Sequence, residues 1–418
     1  MDTTKSVARQ VPLPEVLNFD FVLGGPSGGW DWDGDEPLLI TAAGGPPVHI
    51  EPPALVALAA WVTHIRSRGR SVTIGENLKS PYTWRTGFLS ALVGNSAPSQ
   101  RVSPTPDFYP LCAVAGEDGI TACSVGVIQT LQIKGQQAIQ ALGGSIREML
   151  QNAEDHSESS TPTAFAAGHF RTQHRVTFAV ADTGVGIRST LLRKRVLLPA
   201  EDDMAAIDKA LQPRITGAGK PGRPNAPHNA GLGLHTTRLF AQDCGGAMLV
   251  WSGEGCFRES SRGAGEFKTV PRWRGTLVCV TLYPDRAGLF ALTPRGTGSI
   301  GVEAVHFGPP PTGAVVFRPP VDSIGFAANK TWYRENEPLF REALVANRHV
   351  CLDFAGALYT TQSALHALLF QSLDQLGSVA ASRLHVVKAG KQVETVIRLV
   401  VDYSVAGRAP PPVEASQP

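Results

Sequence analysis

Three short patterns stand in a single order in the middle of this chain, and they limit its fold more than any other feature. Glu148 and Asn152 lie four residues apart in Glu148-Met149-Leu150-Gln151-Asn152-Ala153-Glu154-Asp155-His156. Asp182-Thr183-Gly184-Val185-Gly186-Ile187 follows the apolar run Val176-Thr177-Phe178-Ala179-Val180-Ala181, and Gly231-Leu232-Gly233-Leu234 opens a further stretch. Residues four apart share a helix face. Leu142, Ile146, Met149 and Ala153 recur at helical spacing, so they form a buried stripe that turns Glu148 and Asn152 toward the neighbouring face. The apolar run reads as a strand that ends at a carboxylate and a glycine turn. The chain is therefore expected to be α/β, or α+β, with a helix face, a strand end and a second helix start brought together.

That order resembles the GHKL superfamily of Bergerat-fold ATPases, which includes histidine kinases, type II topoisomerase ATPase domains, heat-shock chaperones, mismatch-repair ATPases and anti-sigma serine kinases. The matching stretch runs from about 120 to 286. Glu148 and Asn152 match the first box, Asp182, Gly184 and Gly186 the second, and Gly231 and Gly233 the third. Gly245-Gly246 followed by Met248 to Ser252 resembles the family's helix-to-strand exit, and Gly275-Thr276-Leu277-Val278 to Pro284 its last strand.

The resemblance implies a central Bergerat-type α/β sandwich that binds ATP with Mg²⁺, and the residue types suit that chemistry. Mg²⁺ takes oxygen ligands and keeps several waters, so the amide oxygen of Asn152 plus phosphate oxygens suffices as the metal site. Glu148, one helical turn earlier, is the candidate catalytic base for the attacking water or hydroxyl. Asp182 at its strand end can accept a hydrogen bond from the exocyclic amine of adenine, a donor that guanine lacks there. Gly184 and Gly186 let the backbone turn under the base without a Cβ clash. Gly231, Leu232 and Gly233 direct backbone N–H groups and a helix N-terminus toward phosphates. Thr276 completes the cofactor-binding set.

Each piece has a plainer reading. A Glu and an Asn four apart are commonly a solvated helix face, and Asp-x-Gly-x-Gly is commonly a turn. His156 reads as a helix-end residue supporting the site, since no second His or Cys stands at metal-ligand spacing. Gly217-Ala218-Gly219-Lys220-Pro221 is not a phosphate-binding P-loop, because Arg214 stands where the first glycine belongs and Pro221 where Ser or Thr is required. Gly25-Pro26-Ser27-Gly28-Gly29 spells a nucleophile elbow without the strand and helix that would flank one. Cys112, Cys123, Cys244, Cys256, Cys279 and Cys351 are scattered, with no CxxC pair, and read as thiols in a reducing compartment.

With 418 residues the chain has room for two to three domains, and a formal charge of +2 gives no footprint for nucleic acid. Met1 to Pro14 lacks an apolar signal-like core, and the apolar helix near Ala54 to Ile65 is too short to span a bilayer, so a cytoplasmic protein without membrane contact is expected.

Three modules and a tail are expected: an N-terminal α/β module over 1–105, the ATP-binding domain over 106–290, an α/β module over 301–408, and a disordered tail over 409–418. In the first, Leu17 to Leu23 alternates like a short strand. Strands follow at Pro37 to Ile40, Val48 to Ile50 and Ser71 to Ile74, with an amphipathic helix begun by proline over Pro53 to Arg68 and a helix over Tyr82 to Val93. Pro104, Pro106 and Pro110 mark a linker, and Ser124 is the expected cap of a long helical stretch to Asp155. A helical pattern spans Met204 to Leu211, and the Gly- and Pro-rich segment around 216–224 suits a lid whose Lys220 or Arg223 reaches phosphate, or simply two solvated charges.

In the last module strands are expected at Ala314 to Phe317, His349 to Phe354 and Arg383 to Val387, with helices at Tyr333 to Ala346 and Thr361 to Leu376, and Gln392 to Val401 as helix or strand. The stretch Val350 to Leu369 resembles the STAS-like module of anti-sigma-factor antagonists, and Val48 to Ile74 has a comparable order that suits a degenerate second copy. The antagonists' phosphoacceptor serine falls where this chain has Tyr359-Thr360-Thr361-Gln362-Ser363, without their Asp-Ser-Ser-Gly string. Thr360, Thr361 and Ser363 are thus phosphoacceptors or helix-capping residues. Two functions are compatible with the whole: a signalling ATPase or serine/threonine-kinase-like regulator acting on a STAS-like module in cis or on a partner protein, or an ATP-gated interaction switch without kinase activity. A homodimer is compatible with either. No helical hairpin carrying a phosphoacceptor His precedes the first box, which disfavours a two-component histidine kinase.

Overall fold

The computed structural model describes residues 8–26, 29–93, 107–193, 195–212, 233–260, 263–289 and 304–406. Gly231, Leu232, the lid segment with Lys220 and Arg223, Pro104, Pro106 and the 409–418 tail lie outside the described residues. The described chain is a mixed α/β structure with parallel and antiparallel sheets. It divides into two compact units, one ending near residue 290 and one formed mainly by the chain after it.

The first unit begins with β1 (Arg9–Leu13), β2 (Val16–Leu17), α1 (Phe19–Gly24), β3 (Leu38–Ala42), β4 (His49–Ile50), α2 (Pro52–Ser67), β5 (Val72–Ile74), α3 (Pro81–Arg85) and α4 (Phe88–Val93). Strands β1, β3 and β5 form a parallel sheet in that order, and β2 pairs with β4, also in parallel. The alternation at Leu17 to Leu23 does not continue as a strand, because Asn18 caps α1 by accepting from the Phe21 amide at 3.1 Å. The helix expected over Tyr82 to Val93 is two helices, broken at Gly87, whose φ is +77° and where a Cβ would lie 3.1 Å from the Leu111 backbone.

A five-stranded antiparallel sheet follows, built from β6 (Phe108–Val114), β7 (Thr163–Phe170), β8 (Arg175–Asp182), β9 (Ala247–Ser260) and β10 (Gly263–Leu282), in the order β6-β7-β8-β10-β9. Pro110 lies inside edge strand β6, where the register shifts between Tyr109 and Cys112 and no ladder amide is needed. The helices of this region are α5 (Gly116–Thr130), α6 (Gln136–His156), α7 (Gly186–Arg193), α8 (Asp203–Leu211) and α9 (Gly233–Asp243). Ser124 is not a cap: it sits within α5 and bonds the Thr121 carbonyl, and the break before α6 falls at Gly135, with φ +85°.

The two faces of this sheet have different partners. Ala164, Ala166, Ala179, Ala181, Leu249, Trp251 and Cys279 share a core with α2 and with Val11, Leu13, Leu38 and Ile40 of the N-terminal sheet. The small alanines let α2 approach closely, and 13 of its 16 residues are buried, so it is apolar all round instead of amphipathic. Phe165, Phe178, Val180, Val278 and Val280 point the other way in the ladder, beneath α5, α6 and α9. Trp273 joins the N-terminal module to the sheet, with Trp30 and Trp32 edge-on at 5.2 and 4.9 Å and the Trp32 indole N–H donating to the Arg272 carbonyl at 2.9 Å.

The second unit contains β11 (His306–Phe307), β12 (Val315–Phe317), α10 (Lys330–Val345), β13 (Val350–Asp353), α11 (Gln362–Leu376), α12 (Ser378–Ala381), β14 (Leu384–Val387) and α13 (Lys391–Ala406). Its sheet is parallel, in the order β11-β14-β13-β12. Phe317, on the face shared by Val350, Leu352, Leu384 and Val386, meets Phe340 of α10 at 5.4 Å. The segment left as helix or strand is helix α13, because Val393, Val396, Ile397 and Val400 bury one helical face.

Candidate functional site

Asp182 ends β8 on the helix-bearing face of the central sheet. Thr276 of β10 stands opposite it in register, and Ser252 of β9 stands opposite Thr276, so three polar side chains cross three strands in a row. Asp182 is only 5% exposed. Burial pushes its carboxyl up to about 7, while backbone N–H groups of Gly184 and Thr276 hydrogen-bond to it and pull the other way. The Gly184 bond measures 2.9 Å.

The glycine turn after Asp182 is fixed by what it touches. A Cβ on Gly184 would fall 1.8 Å from the carbonyl oxygen of Ser157, the residue that caps α6, and the next amide, Val185 N–H, donates to that same oxygen at 2.8 Å. Gly186 has φ +77° and a would-be Cβ 2.9 Å from the Ser252 hydroxyl. That hydroxyl accepts from Ile187 N–H at 2.9 Å and donates to the Gly275 carbonyl at 2.8 Å. Gly275 itself has φ +84°, with a would-be Cβ 2.3 Å from the Asp182 carbonyl. The end of α6, the glycine turn and the neighbouring strands β9 and β10 are therefore tied together directly.

Glu148 is buried on α6, and Asn152 follows it half-buried one turn later. Both converge on the start of α9: a Cβ on Gly233 would lie 2.6 Å from Glu148 Oε2 and 3.1 Å from Asn152 Nδ2. The expected stripe of Leu142, Ile146, Met149 and Ala153 is buried, which is what turns the two polar residues to this side. His156 is the last residue of α6, as expected. The structure thus brings Glu148, Asn152 and Gly233 together, and separately Asp182, Gly184, Gly186 and Thr276, with the C-terminal turn of α6 joining the two sets. Of the third box, Gly231 and Leu232 are outside the described residues.

Ser157, Ser252 and Gly275 were missed as site-building residues. Only their places, just after the first box and at facing strand positions, could have marked them. Arg238 of α9 makes a bidentate pair with buried Glu259 of β9, both bonds 2.7 Å, and fastens that helix to the sheet. All six cysteines are free thiols, and burial pushes Cys279 up to about 12 and Cys244 and Cys256 up to about 11, so these three are not thiolate nucleophiles at neutral pH. Among the described residues no cluster of three or more His, Cys, Asp or Glu is arranged to hold a metal, and no helix is long and apolar enough to cross a membrane.

In the second unit the hydroxyls considered as phosphoacceptors are enclosed. Thr360 is fully buried and donates to the Ala327 carbonyl at 2.6 Å, Thr361 caps α11 by accepting from Ala364 N–H at 3.2 Å, and Ser363 is buried. Asp353 at the end of β13 is buried, which alone would raise its pKa. Hydrogen bonds from Arg318 at 2.7 Å and Lys388 at 3.2 Å hold the carboxylate below its usual range.

No protein-family model matches this chain, and no curated protein matches it significantly.

Proposed function

We propose that the first unit binds ATP with Mg²⁺ in the manner of the GHKL superfamily, with residues 106–290 as its Bergerat-type sandwich. The observation that carries this reading is Asp182: a buried carboxylate beside Thr276, at a strand end, above a glycine turn that rests on the helix carrying Glu148 and Asn152. A carboxylate so placed, with two backbone N–H donors on it and acceptor lone pairs beyond those two bonds, suits the exocyclic amine of adenine. The bare backbone at Gly233 suits close approach of a phosphate to the α9 N-terminus. Asn152 would supply an oxygen to Mg²⁺, whose contribution when bound is to neutralise phosphate charge. Glu148 would orient and deprotonate the attacking water or hydroxyl.

The parallel sheet and helix layer of the second unit support a STAS-like module, and the parallel β1-β3-β5 sheet supports a degenerate copy at the N-terminus. A regulator that couples ATP to such modules, cytoplasmic and working with a protein partner, follows as the biological role. The enclosure of Thr360, Thr361 and Ser363 disfavours phosphorylation of its own C-terminal module, which leaves a kinase acting on a partner or an ATP-gated switch without kinase activity. Incubation with γ-labelled ATP and Mg²⁺ tests this: phosphate release is expected without stable label on Thr360, Thr361 or Ser363. Label at those residues would restore the cis-kinase reading, and absence of any turnover would leave a binding switch.

A further inference from the structure

A cavity of the first unit, about 430 Å³, opens between the glycine turn, α7 and the facing ends of β9 and β10. Gly184 and Gly186 of the turn, with Ser252 and Gly275, form one wall, while Glu148, Asn152, Asp182 and Thr276 do not line it. Its walls are mainly polar and basic, with Arg188, Arg193, Arg272 and Arg274 facing Asp203 and Glu254.

The charges there are unevenly matched. Arg193 is paired with Glu158 at 2.5 Å, but Arg188 donates to the uncharged carbonyls of Glu201, 2.8 Å, and Pro199, 3.0 Å. Among the described residues Arg272 and Arg274 have no carboxylate within ion-pair distance. Asp203 is engaged by the Glu254 amide at 2.9 Å and pressed against Gly253. Two buried donors on this wall also lack acceptors: Arg274 Nε and the indole Nε1 of Trp273, a residue only 1% exposed. Leaving buried donors unmatched is costly, which marks this wall as polar without an internal partner for every group.

We propose that this cavity binds a phosphate monoester. Guanidinium forks recognise phosphate oxygens in paired hydrogen bonds, and the volume exceeds what a bare anion needs, leaving room for the group esterified to it. The polar walls select a hydrophilic ester. The same chemistry is presented by a free sugar phosphate and by a phosphorylated serine in a peptide, and both enter the test.

Trp273 lines the cavity and packs against Trp30, Trp32 and Trp251, so intrinsic fluorescence reports on the cavity. The full chain is titrated with glucose 6-phosphate, a phosphoserine hexapeptide, their dephosphorylated forms, and sodium sulfate at matched ionic strength. A saturable signal is expected from one or both phosphate esters, at least about tenfold stronger than from the dephosphorylated form or sulfate. The tighter ester identifies the source. Arg272→Glu and Arg274→Glu should each weaken it about tenfold or more, with Arg272→Gln and Arg274→Gln intermediate and the far-ultraviolet circular dichroism unchanged. Asn152→Ala should bind the ester like the parent. No saturable signal, an equal response to sulfate, or indifference to both arginine substitutions would overturn the proposal. Loss of ester binding in Asn152→Ala would also overturn it, by making the cavity part of the nucleotide site.

Discussion

Replacing Asp182 by asparagine should make the protein more stable and less able to bind ATP at the same time. The carboxyl is held at about 7 against a usual 3.8, chiefly by burial. A proton bound more tightly in the folded chain contributes stability that is full below about pH 4 and is lost as pH rises through about 7. At about 1.4 kcal/mol per pH unit, the ionised side chain costs on the order of 4 kcal/mol at pH 8. Asparagine is almost isosteric and neutral. Its amide NH₂ takes the place of one carboxylate oxygen and cannot accept a hydrogen bond, which forfeits about 1 kcal/mol. A net gain of about 3 kcal/mol at pH 8 follows, shrinking to nothing or reversing near pH 4. Urea denaturation of parent and variant at both pH values measures the difference, in which all other titrating groups cancel. ATP affinity should fall meanwhile by about 1.5 to 3 kcal/mol, the worth of a charge-assisted hydrogen bond. A variant less stable than the parent at pH 8, or a stability difference that does not change with pH, would refute the assignment of Asp182 as a buried charge kept for binding.

Three further outcomes follow from the geometry. Glu148→Ala should keep ATP binding and lose most turnover, whereas Asn152→Ala should weaken Mg²⁺-ATP binding itself; equal turnover in both variants and the parent would reduce the pair to a structural helix face. Gly233→Ala meets only movable side-chain atoms of Glu148 and Asn152 and should change stability by less than about 1 kcal/mol while reducing turnover, whereas Gly184→Ala meets the Ser157 carbonyl and should cost on the order of 3 kcal/mol; thermal melts with a hydrolysis assay separate them. In the second unit, burial and then the neighbouring His306 and His349 hold the pKa of His385 down, and His349 Nδ1 lies within hydrogen-bond distance of His385 Nε2, 2.9 Å. Stability of that unit should fall as pH drops through the ordinary histidine range, and His385→Gln should flatten the fall, as monitored by proteolysis against pH.

Much of the site was legible because each of its parts is local. The four-residue spacing of Glu148 and Asn152 and the stripe from Leu142 to Ala153 fix one helix face, and the apolar run before Asp182 fixes a strand end. The close approaches at Gly184 and Gly275 were not legible, because they depend on the carbonyls of Ser157 and Asp182, which reach them only after the sheet is assembled. Helix α2 read as amphipathic because its sequence cannot reveal that the alanine face of a second sheet covers its other side. The strand expected at Leu17 to Leu23 lost to the cap at Asn18, and the single helix expected at Tyr82 to Val93 lost to the left-handed Gly87. In the hydroxyl cluster the capping reading of Thr361 was correct, because that signal is local to the helix start.

Calorimetric titration of the full chain with ATP and with GTP, each with Mg²⁺, tests the central claim most directly. Saturable binding of ATP is expected, with GTP at least about tenfold weaker, because guanine offers the Asp182 carboxylate an oxygen where adenine offers an N–H. Equal affinity for the two nucleotides, or no binding of either, would contradict it.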